Sequence, residues 1–294
     1  MKIAYLIAAH NNPIHLKRLI VALSSESVSF FIHIDKKSSI DVFLKLKDDN
    51  VHFTNERIPV YWGDFSQVDA SLIMLQTALS DKNNFDRYVL LSGVDYPIKS
   101  TSYIEKYFRE HPDREFITLV SMPSESHKKS ISRLTTFVIR PGGNTIVRFT
   151  KKVLKKVGFR LPDRDYKTAF ANFQPYGGSS WWAFSRDASE YIVGFVAKEQ
   201  LLVDFFKNTV CPDEQFFHTI LGNSPYMKNA VKNVTYDDWS ASGASPEIIN
   251  ERHLHTFKEQ ALNKSNEGIL FARKFDEKSS EILIRIDNEI RSEN

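Results

Sequence analysis

The sequence predicts an α/β fold with a mostly parallel, twisted sheet flanked by helices. Two continuous apolar runs, Ile3–Ala9 and Val28–Ile34, are typical of strands buried on both faces. A helical stretch that begins at Pro13 separates them, which gives the strand–helix–strand order of a parallel unit. Each run ends in polar residues, as the ligand-facing ends of parallel strands commonly do.

The following segments continue this alternation. Residues 51–53 and 58–61 are predicted as short strands, and residues 66–79 place apolar side chains at helical spacing. Another buried strand spans residues 85–91 and closes in the turn 93–97. This order is typical of a doubly wound, Rossmann-like sheet, which binds ligands beyond the carboxyl ends of its strands. The residues predicted to cluster there are His10, Asp35, Trp62 and Asp95.

The second half of the chain is less regular. Residues 122–175 are predicted as an irregular excursion over the sheet, because turn residues and basic residues replace the apolar periodicity. Regular structure returns with a strand at 180–185 and a helix after it. Strands near 231–239 and 268–275 and a charged C-terminal helix complete the pattern. We therefore expect one domain over residues 1–294.

Composition excludes several classes of protein. The 294 residues are 42% hydrophobic and 26% charged, which is typical of a globular chain. The net charge of +3 is too small to indicate a nucleic-acid partner. Cys211 is the only cysteine, so no intramolecular disulfide forms. The first apolar run is too short for a signal peptide, and no segment approaches the roughly 18 apolar residues of a membrane span. A cytoplasmic protein is expected.

One basic segment leaves a second interpretation of location. Residues 151–164, KKVLKKVGFRLPDR, interleave basic and apolar side chains. A solvated helix end or loop is the expected structure. The alternative is that this segment makes peripheral contact with the inner face of an anionic membrane.

Seven motifs occur in a fixed order: YLIAAHN, FFIHIDKKS, VYWGDFSQVDASL, FDRYVLLSGVDYPIKS, GGSSWWAFSRDASEYIV, CPDEQFFHTIL and LFARKFD. In these motifs the chain resembles the core-2/I-branching β-1,6-N-acetylglucosaminyltransferase and peptide O-xylosyltransferase family, from about residue 3 to residue 276. The resemblance implies a GT-A-like fold and a nucleotide-diphosphate-sugar donor. It also implies inversion at the anomeric carbon and no bound metal.

The motifs agree with the implied absence of a metal ligand set. The sequence has one Asp-x-Asp, at residues 163–165 in a basic loop, whereas the strand end offers the lone Asp95. Cations must then meet the charge on the departing diphosphate, and Arg273 and Lys274 end a predicted strand. Adjacent strand residues point to opposite faces, so only one of the pair enters the site. The resemblance assigns that role to Lys274; a solvated basic pair is the alternative.

The chain departs from the family at a second diphosphate ligand. Relatives often carry an arginine before the tryptophan of VTYDDWS, where this chain has Thr235. Lys232 and Arg252 are the candidates to replace it.

Glu214 is predicted as the catalytic base. An inverting transfer needs a base that removes the proton of the acceptor hydroxyl, and the resemblance aligns the Glu of CPDE with that base. The alternative is a carboxylate that stabilises the start of an amphipathic helix after Pro212. The xylosyltransferase branch has an Asp where this chain has Ser180, so the proton-transfer role moves to Glu214. Asp213 remains the alternative base.

Other motif residues are predicted to bind the donor. Asp35 matches an acidic residue that family members place beside the nucleotide, although a turn residue after a strand is equally compatible. Trp62, Gly63 and Ser66 follow the pattern W-G-x-x-S and are predicted to shape the nucleotide pocket. A tryptophan that fills the core is the alternative for Trp62. Asp95 is expected near the donor sugar.

Acceptor contacts are predicted from aromatic and basic residues. Trp181 and Trp182 alternate faces on their strand, so one belongs to the core and the other offers a flat surface to a sugar ring. Trp239 and Arg133 are the further candidates. His10, His33 and His218 lack metal-ligand spacing and are interpreted as structural.

Together these observations predict an inverting, metal-independent glycosyltransferase without a cofactor. It would move GlcNAc or xylose from a UDP-sugar to a glycan, in surface polysaccharide or glycoconjugate synthesis. A catalytically silent nucleotide-sugar or glycan-binding protein of the same fold is the alternative. A basic membrane-associated scaffold is a second alternative, and it rests only on residues 151–164.

Overall fold

The computed structural model describes residues 1–137, 163–241, 243, 245–262 and 268–292. Their strands are β1 (Ile3–Ala9), β2 (Val28–Ile34), β3 (Val51–Phe53), β4 (Arg87–Ser92), β5 (Asp95–Pro97), β6 (Glu115–Phe116), β7 (Val120–Ser121), β8 (Tyr176–Gly177), β9 (Ala183–Ser185), β10 (Ala230–Val231), β11 (Thr235–Asp237) and β12 (Phe271–Arg273).

The α-helices are α1 (Pro13–Leu23), α2 (Asp41–Leu44), α3 (Ser66–Leu79), α4 (Thr101–Glu110), α5 (Ser132–Thr135), α6 (Tyr166–Phe170), α7 (Arg186–Lys198), α8 (Gln200–Phe206), α9 (Phe216–Gly222), α10 (Glu251–Leu262) and α11 (Ser280–Arg285). Short 3₁₀ turns span Pro212–Glu214 and Pro225–Asn229, and a π-helical turn spans Ile286–Arg291. In the part of the chain that the structure describes, no helix is both long and apolar enough to cross a bilayer.

A seven-stranded sheet has the order β10-β6-β9-β4-β1-β2-β3. Strands β3, β2, β1 and β4 are mutually parallel, and β9 runs antiparallel between β4 and β6. β10 pairs parallel with β6 at the edge. The predicted α/β fold with a mostly parallel sheet is therefore confirmed.

Helices cover both faces of this sheet because the strands are apolar on both faces. Ile3, Tyr5 and Ile7 of β1 pack with α1, α4, α10 and α11 on one side. Ala4 and Leu6 pack with α3, α7, α8 and α9 on the other. The alternation of β1 side chains thus contributes to two separate apolar layers.

A three-stranded sheet, in the order β11-β12-β5, lies beyond the carboxyl end of β4. Asp95 of β5 is the register partner of Arg273, which is also the partner of Asp237. The backbone N–H of Phe275 donates to the carbonyl of Val94 at 2.8 Å. The turn that closes β4 is therefore tied to the segment that carries the predicted diphosphate ligands.

The predicted strand at 58–61 is wrong. Side chains, rather than a neighbouring strand, accept hydrogen bonds from its backbone: Ile58 N donates to His33 Nε2 at 3.1 Å, and Val60 N donates to Asp35 Oδ1 at 3.3 Å. A backbone whose polar groups are satisfied in this way needs no strand partner. Apolar content alone did not reveal this.

The irregular excursion is only partly described. Its described parts, 122–137 and 163–175, hold β7, α5 and α6. Most of the basic segment 151–164 lies outside the described residues, so its proposed membrane contact has no structural account here.

Position 178 must be glycine because the backbone of another segment passes very close to its Cα. A Cβ at this position would lie 1.9 Å from the carbonyl oxygen of Thr118 and 2.6 Å from Nε2 of His218. His218 is itself fully buried in α9. The double glycine of GGSS therefore allows the chain to pass between α9 and the backbone next to β6.

Replacing Gly178 by Ala is expected to lower the free energy of unfolding by about 2–4 kcal/mol, because backbone atoms must move apart. Gly194→Ala is the matched control. Nothing lies within 4 Å of a Cβ there, and Gly194 is inside α7, so this change should stabilise by about 0.5–1 kcal/mol. Urea unfolding measures both. Equal effects of the two substitutions would contradict the packing account.

Candidate active site

Glu214 lies in a 3₁₀ turn that four hydrogen bonds hold in place. The N–H of Gly178 donates to the carbonyl of Glu214 at 2.9 Å, and the N–H of Cys211 donates to the carbonyl of Gly63 at 3.1 Å. Gln215 donates its side-chain amide to the carbonyls of Val210 and Cys211. The GGSS segment, the WG segment and the CPDE segment thus meet at this turn.

The helix after Glu214 differs from the prediction. All seven residues of α9 are buried, so the helix is not amphipathic. It begins at Phe216, after Gln215, and its single histidine donates from Nε2 to the carbonyl of Ser179 at 2.9 Å. Burial lowers the pKa of His218 to about 3, so this histidine is neutral and structural. His10, in contrast, is exposed.

Two cations bind one oxygen of Glu214. Lys129 Nζ and Arg133 Nη1 each lie 2.6 Å from Oε2. Lys129 also donates to the carbonyl of Gly178 at 2.7 Å. Burial alone would raise the pKa of Glu214, but the two cations outweigh it and the pKa is lowered. Glu214 is therefore ionised at neutral pH, and these cations, rather than the helix terminus, account for that.

Arg133 has a different partner from the one predicted. It was predicted as an acceptor contact, and the structure places it directly on the candidate base. Lys129 was missed, since a lysine in an irregular segment carries no local signal of such a partner. Its side chain is 12% exposed, compared with 27% for Arg133 and 26% for Glu214. The base is thus partly open to solvent.

Asp213 occupies a different environment from its neighbour. Ser180 Oγ donates to Asp213 Oδ2 at 2.6 Å. The other oxygen, Oδ1, is buried and has no hydrogen-bond partner among the described residues. Burial raises the pKa of Asp213 to about 6, although the hydrogen bond from Ser180 opposes this. Ser180, which the resemblance matches to an Asp of the xylosyltransferase branch, thus pairs with a carboxylate from the CPDE segment.

Arg273 connects the site to the three-stranded sheet. Its guanidinium carbon lies 4.0 Å from the ring centroid of Trp181, a cation–π distance. Its Nε lies 3.5 Å from Asp95 Oδ1, which makes an ion pair without a hydrogen bond. Arg273 therefore faces Trp181 and Asp95.

The expectation that Asp95 meets the donor sugar needs correction. Asp95 is fully buried, and its two oxygens accept hydrogen bonds from the backbone N–H and the hydroxyl of Ser92, both at 2.7 Å. Burial raises its pKa, and the Arg273 guanidinium opposes the rise. A carboxylate with these partners positions Arg273 and offers no surface to a ligand.

Lys274 is bound to an exposed loop. Its Nζ donates to Ser245 Oγ at 3.0 Å, and its carbonyl accepts from the N–H of Ile249 at 3.0 Å. Arg252, in the first turn of α10, donates from Nη2 to Asp238 at 2.7 Å and to Glu247 of this loop at 2.8 Å. Lys274 and Arg252 therefore belong to one loop cluster.

The same cluster contains a group of side chains, among the described residues, whose spacing would suit a metal ion. Ligand atoms of Asp238, Glu247 and His253 lie within 4.8 Å of one another. Arg252 already places a positive charge between the two carboxylates. A guanidinium thus satisfies a group of acidic side chains that would otherwise suit a cation.

The structure distinguishes the two candidates for the missing arginine. Thr235 is buried in β11, so its position does not face solvent. Lys232 is exposed after β10, at the edge of the seven-stranded sheet. Arg252 binds Glu247 in the same loop in which Lys274 binds Ser245, which makes it the better candidate.

Asp35 is a turn residue after β2, which was the alternative to the predicted nucleotide contact. Its Oδ1 accepts from the N–H of Lys37 at 2.9 Å and from the N–H of Val60, and its Oδ2 lies 3.3 Å from Lys37 Nζ. Asp35 is 7% exposed. Its role at the nucleotide stays a prediction.

The W-G-x-x-S motif shapes a loop rather than the core. Trp62 is 75% exposed, so the interpretation of a core-filling tryptophan is wrong. Gly63 has φ +67°, and Ser66 Oγ accepts from the N–H of Tyr61 at 2.9 Å. The contact between Gly63 and Cys211 brings this loop beside the turn of Glu214.

The two adjacent tryptophans separate as alternation predicts. Trp182 is 1% exposed and stacks on Phe184, with centroids 4.3 Å apart. Its assignment as an acceptor contact is therefore wrong, because no ligand reaches it. Trp181 is half-buried and remains a candidate. Trp239 is 52% exposed and donates from Nε1 to Asp237 Oδ2 at 2.9 Å.

Two contacts between sequence segments connect the candidate base to the candidate diphosphate ligands. Glu214 is adjacent to Asp213, which binds Ser180. Trp181 follows Ser180 and packs on Arg273, the neighbour of Lys274. The arrangement places one ionised carboxylate and a set of fixed cations on linked segments, which suits removal of a proton at one end and stabilisation of an anion at the other.

Comparison with known proteins gives one family. Residues 3–264 match the family model described as Core-2/I-Branching enzyme. Xylosyltransferase 2 of Canis lupus familiaris is 28% identical over 97% of this chain and 33% of its own length. Xylosyltransferase 1 of Rattus norvegicus is 25% identical over 98% of this chain and 35% of its own length. The chain thus spans about a third of the length of these curated relatives.

Among solved structures, 4-diphosphocytidyl-2C-methyl-D-erythritolsynthase of Anaerococcus prevotii is similar with a TM-score of 0.32. The sequences are 15% identical, and the match covers 70% of this chain and 83% of that one. A likeness of this size carries no argument about either fold or function.

Asp213→Asn is expected to change how stability depends on pH. The folded pKa of about 6 lies above the roughly 3.9 of an unfolded aspartate, so the folded state holds this proton more tightly. Asp213 therefore contributes fully to the free energy of unfolding below about pH 4, and this contribution is lost as the pH rises through 6. The free energy of unfolding of Asp213→Asn, relative to that of wild type, should increase by on the order of 2–3 kcal/mol between pH 4 and pH 7.5.

Urea unfolding of both proteins across this range measures the effect. Ser180→Ala is the control: it removes a hydrogen bond that lowers the pKa of Asp213, so the loss of stability with rising pH should become steeper. A stability difference between Asp213→Asn and wild type that is constant with pH would contradict the assignment.

Proposed function

The chain belongs to the Core-2/I-Branching enzyme family, and from this premise we propose that it is an inverting glycosyltransferase with a GT-A-like fold. It moves a sugar from a UDP-sugar to a glycan hydroxyl. The observation that carries the proposal is a pair of contacts, Ser180 with Asp213 and Trp181 with Arg273, which connect the segment of Glu214 to the segment of Lys274. A base and cations held on linked segments are what such a transfer requires.

Glu214 removes the proton of the attacking hydroxyl. The acceptor oxygen forms a bond to the anomeric carbon, the bond from that carbon to the diphosphate breaks, and the leaving UDP keeps the electron pair. Glu214 is ionised and partly exposed, so it is ready to accept a proton from a ligand. Asp213, the alternative base, is less suited because Ser180 and burial enclose its carboxylate.

Lys274 and Arg252 stabilise the negative charge on the departing diphosphate. Both belong to the loop cluster in which Lys274 binds Ser245 and Arg252 binds Asp238 and Glu247. The side chain of Arg252 is 60% exposed, so it turns toward a ligand at little cost. Arg273 faces Trp181 and Asp95 and supports the wall of the site.

No divalent metal takes part in the proposed reaction. The proposal rests on the lone, fully buried Asp95 at the strand end and on Arg252, which neutralises Asp238 and Glu247. EDTA should therefore leave turnover unchanged. Activity that EDTA abolishes and Mg²⁺ or Mn²⁺ restores would contradict this part of the proposal.

The donor sugar is GlcNAc or xylose. Two features of the chain favour this pair: membership of the Core-2/I-Branching enzyme family and curated relatives named xylosyltransferases. The acceptor belongs to a surface polysaccharide or glycoconjugate, and the reaction takes place on the cytoplasmic side.

A catalytically silent binding protein is the second candidate function. The two cations on Glu214 favour it, because they lower the pKa of the carboxylate and so weaken it as a base. Slow hydrolysis of UDP-GlcNAc or UDP-xylose, detected as released UDP, distinguishes an enzyme from a binding protein. No UDP release from either donor, despite binding, would support the second candidate.

Glu214→Gln should lower kcat by roughly 10²–10⁴ and leave the dissociation constant of the UDP-sugar unchanged, since the base acts on the acceptor. Release of UDP in the presence of acceptor measures kcat, and calorimetry measures donor binding. Glu199→Gln, an exposed residue at the start of α8, is the surface control and should behave as wild type.

Asp213→Asn provides the internal comparison. It should retain most of kcat if Glu214 is the base. A near wild-type rate for Glu214→Gln, together with a large loss for Asp213→Asn, would transfer the role to Asp213.

A further inference from the structure

Lys129 and Arg133 share a single carboxylate oxygen of Glu214. Lys129 and Arg133 bring two positive charges to a single oxygen, and no other carboxylate pairs with either of them among the described residues. The neighbouring Asp213 carboxylate, whose pKa is about 6, balances part of this charge but makes no ion pair with either cation among the described residues. Because both cations share one oxygen, one of them is available to pair with the anion of a ligand.

The sequence around these cations has the same bias. Residues 122–175 hold twelve Lys and Arg against three Asp and Glu, a net charge of +9, whereas the whole chain carries +3. An excess of one sign in a segment of sequence favours anionic over cationic ligands. Both Lys129 and Arg133 belong to this segment.

Arg133 has fewer partners and is more exposed than Lys129. Lys129 is anchored a second time by the carbonyl of Gly178 and is 12% exposed. Arg133 is 27% exposed, and within the described residues only its Nη1 has a hydrogen-bond partner, Glu214. Its other guanidinium N–H groups are arranged to bind a carboxylate or phosphate through two parallel hydrogen bonds.

The pairing with Glu214 also opposes the proposed chemistry. A carboxylate held by two cations has a weakened affinity for a proton, whereas a general base must accept one. An anion that binds Arg133 would leave Glu214 with Lys129 alone and strengthen it as a base. The same contact would place the acceptor beside the base.

We propose that the acceptor is an anionic glycan, and that its carboxylate or phosphate takes Arg133 away from Glu214 and so frees the carboxylate for the attacking hydroxyl. This inference rests on the proposed function, since it assigns the acceptor class of that same site. Arg133 is then the residue that selects acidic acceptors. Its exchange between Glu214 and the acceptor couples recognition to activation of the base.

Binding without turnover tests the selection. The probes are an oligogalacturonate, the same oligosaccharide with its carboxyl groups reduced to alcohols, and a mannose 6-phosphate oligosaccharide with its dephosphorylated counterpart. At low salt, the full chain should bind at least one anionic probe about ten- to a hundredfold more tightly than its neutral counterpart. If neither anionic probe binds more tightly than its counterpart, the proposal is wrong. Which probe is preferred distinguishes a carboxylate from a phosphate.

Three variants separate Arg133 from the general positive charge. Arg133→Gln should reduce the preference for the anionic probe to about threefold or less, and Arg133→Lys should restore part of it. Lys128→Asn is the matched control: it removes one charge from the exposed turn that precedes α5, at a backbone φ of 53° that Asn tolerates. Equal losses in Lys128→Asn and Arg133→Gln would show nonspecific attraction and overturn the proposal.

Carbon-13 NMR of labelled glutamate carboxyl groups, with Glu214 assigned through Glu214→Gln, tests the exchange. The anionic probe should raise the pKa of Glu214 in the wild type, the neutral probe should not, and Arg133→Gln should show a raised pKa without any probe. A pKa that is unchanged by both the probe and the substitution would overturn the exchange. These measurements use no donor, so they are independent of whether Glu214→Gln abolishes turnover.

Discussion

One oxygen of Glu214 accepts hydrogen bonds from both Lys129 and Arg133, and the rest of the site is arranged around this pair of contacts. Gly178 makes them possible, because its carbonyl anchors Lys129 while its N–H holds the backbone of Glu214. A side chain on Gly178 would collide with Thr118. The small residues of GGSS are therefore needed for packing, and the charges lie where that packing allows them.

Two adjacent carboxylates have opposite electrostatic environments in this arrangement. Cations lower the pKa of Glu214, whereas burial raises that of Asp213 to about 6. Neighbouring acids whose pKa values are separated in this way commonly have different roles. The exposed member suits proton transfer with a ligand. The enclosed member, with its bond to Ser180, suits positioning of the turn and of Trp181.

The sequence predicted the parts of the fold that local patterns determine. Strands β1 and β2 are continuous apolar runs, and alternation required one of Trp181 and Trp182 to be buried. Which one is buried depends on the faces of the sheet. The two cations on Glu214 lie 85 and 81 residues away along the chain. The periodicity of a sequence carries no information about contacts this far apart. The motif around Glu214 therefore indicated a base but not the residues that surround it.

The central claim is that fixed cations near Lys274 receive the diphosphate on the same site that Glu214 serves. A crystal structure of the chain with UDP and EDTA tests it most directly. We predict diphosphate oxygens within hydrogen-bond distance of Lys274 Nζ, with Arg252 turned toward them and no metal. UDP bound instead in the basic groove of about 590 Å³ between α1 and the C-terminal helix, lined by Lys17, Arg18 and Arg291, would contradict the account.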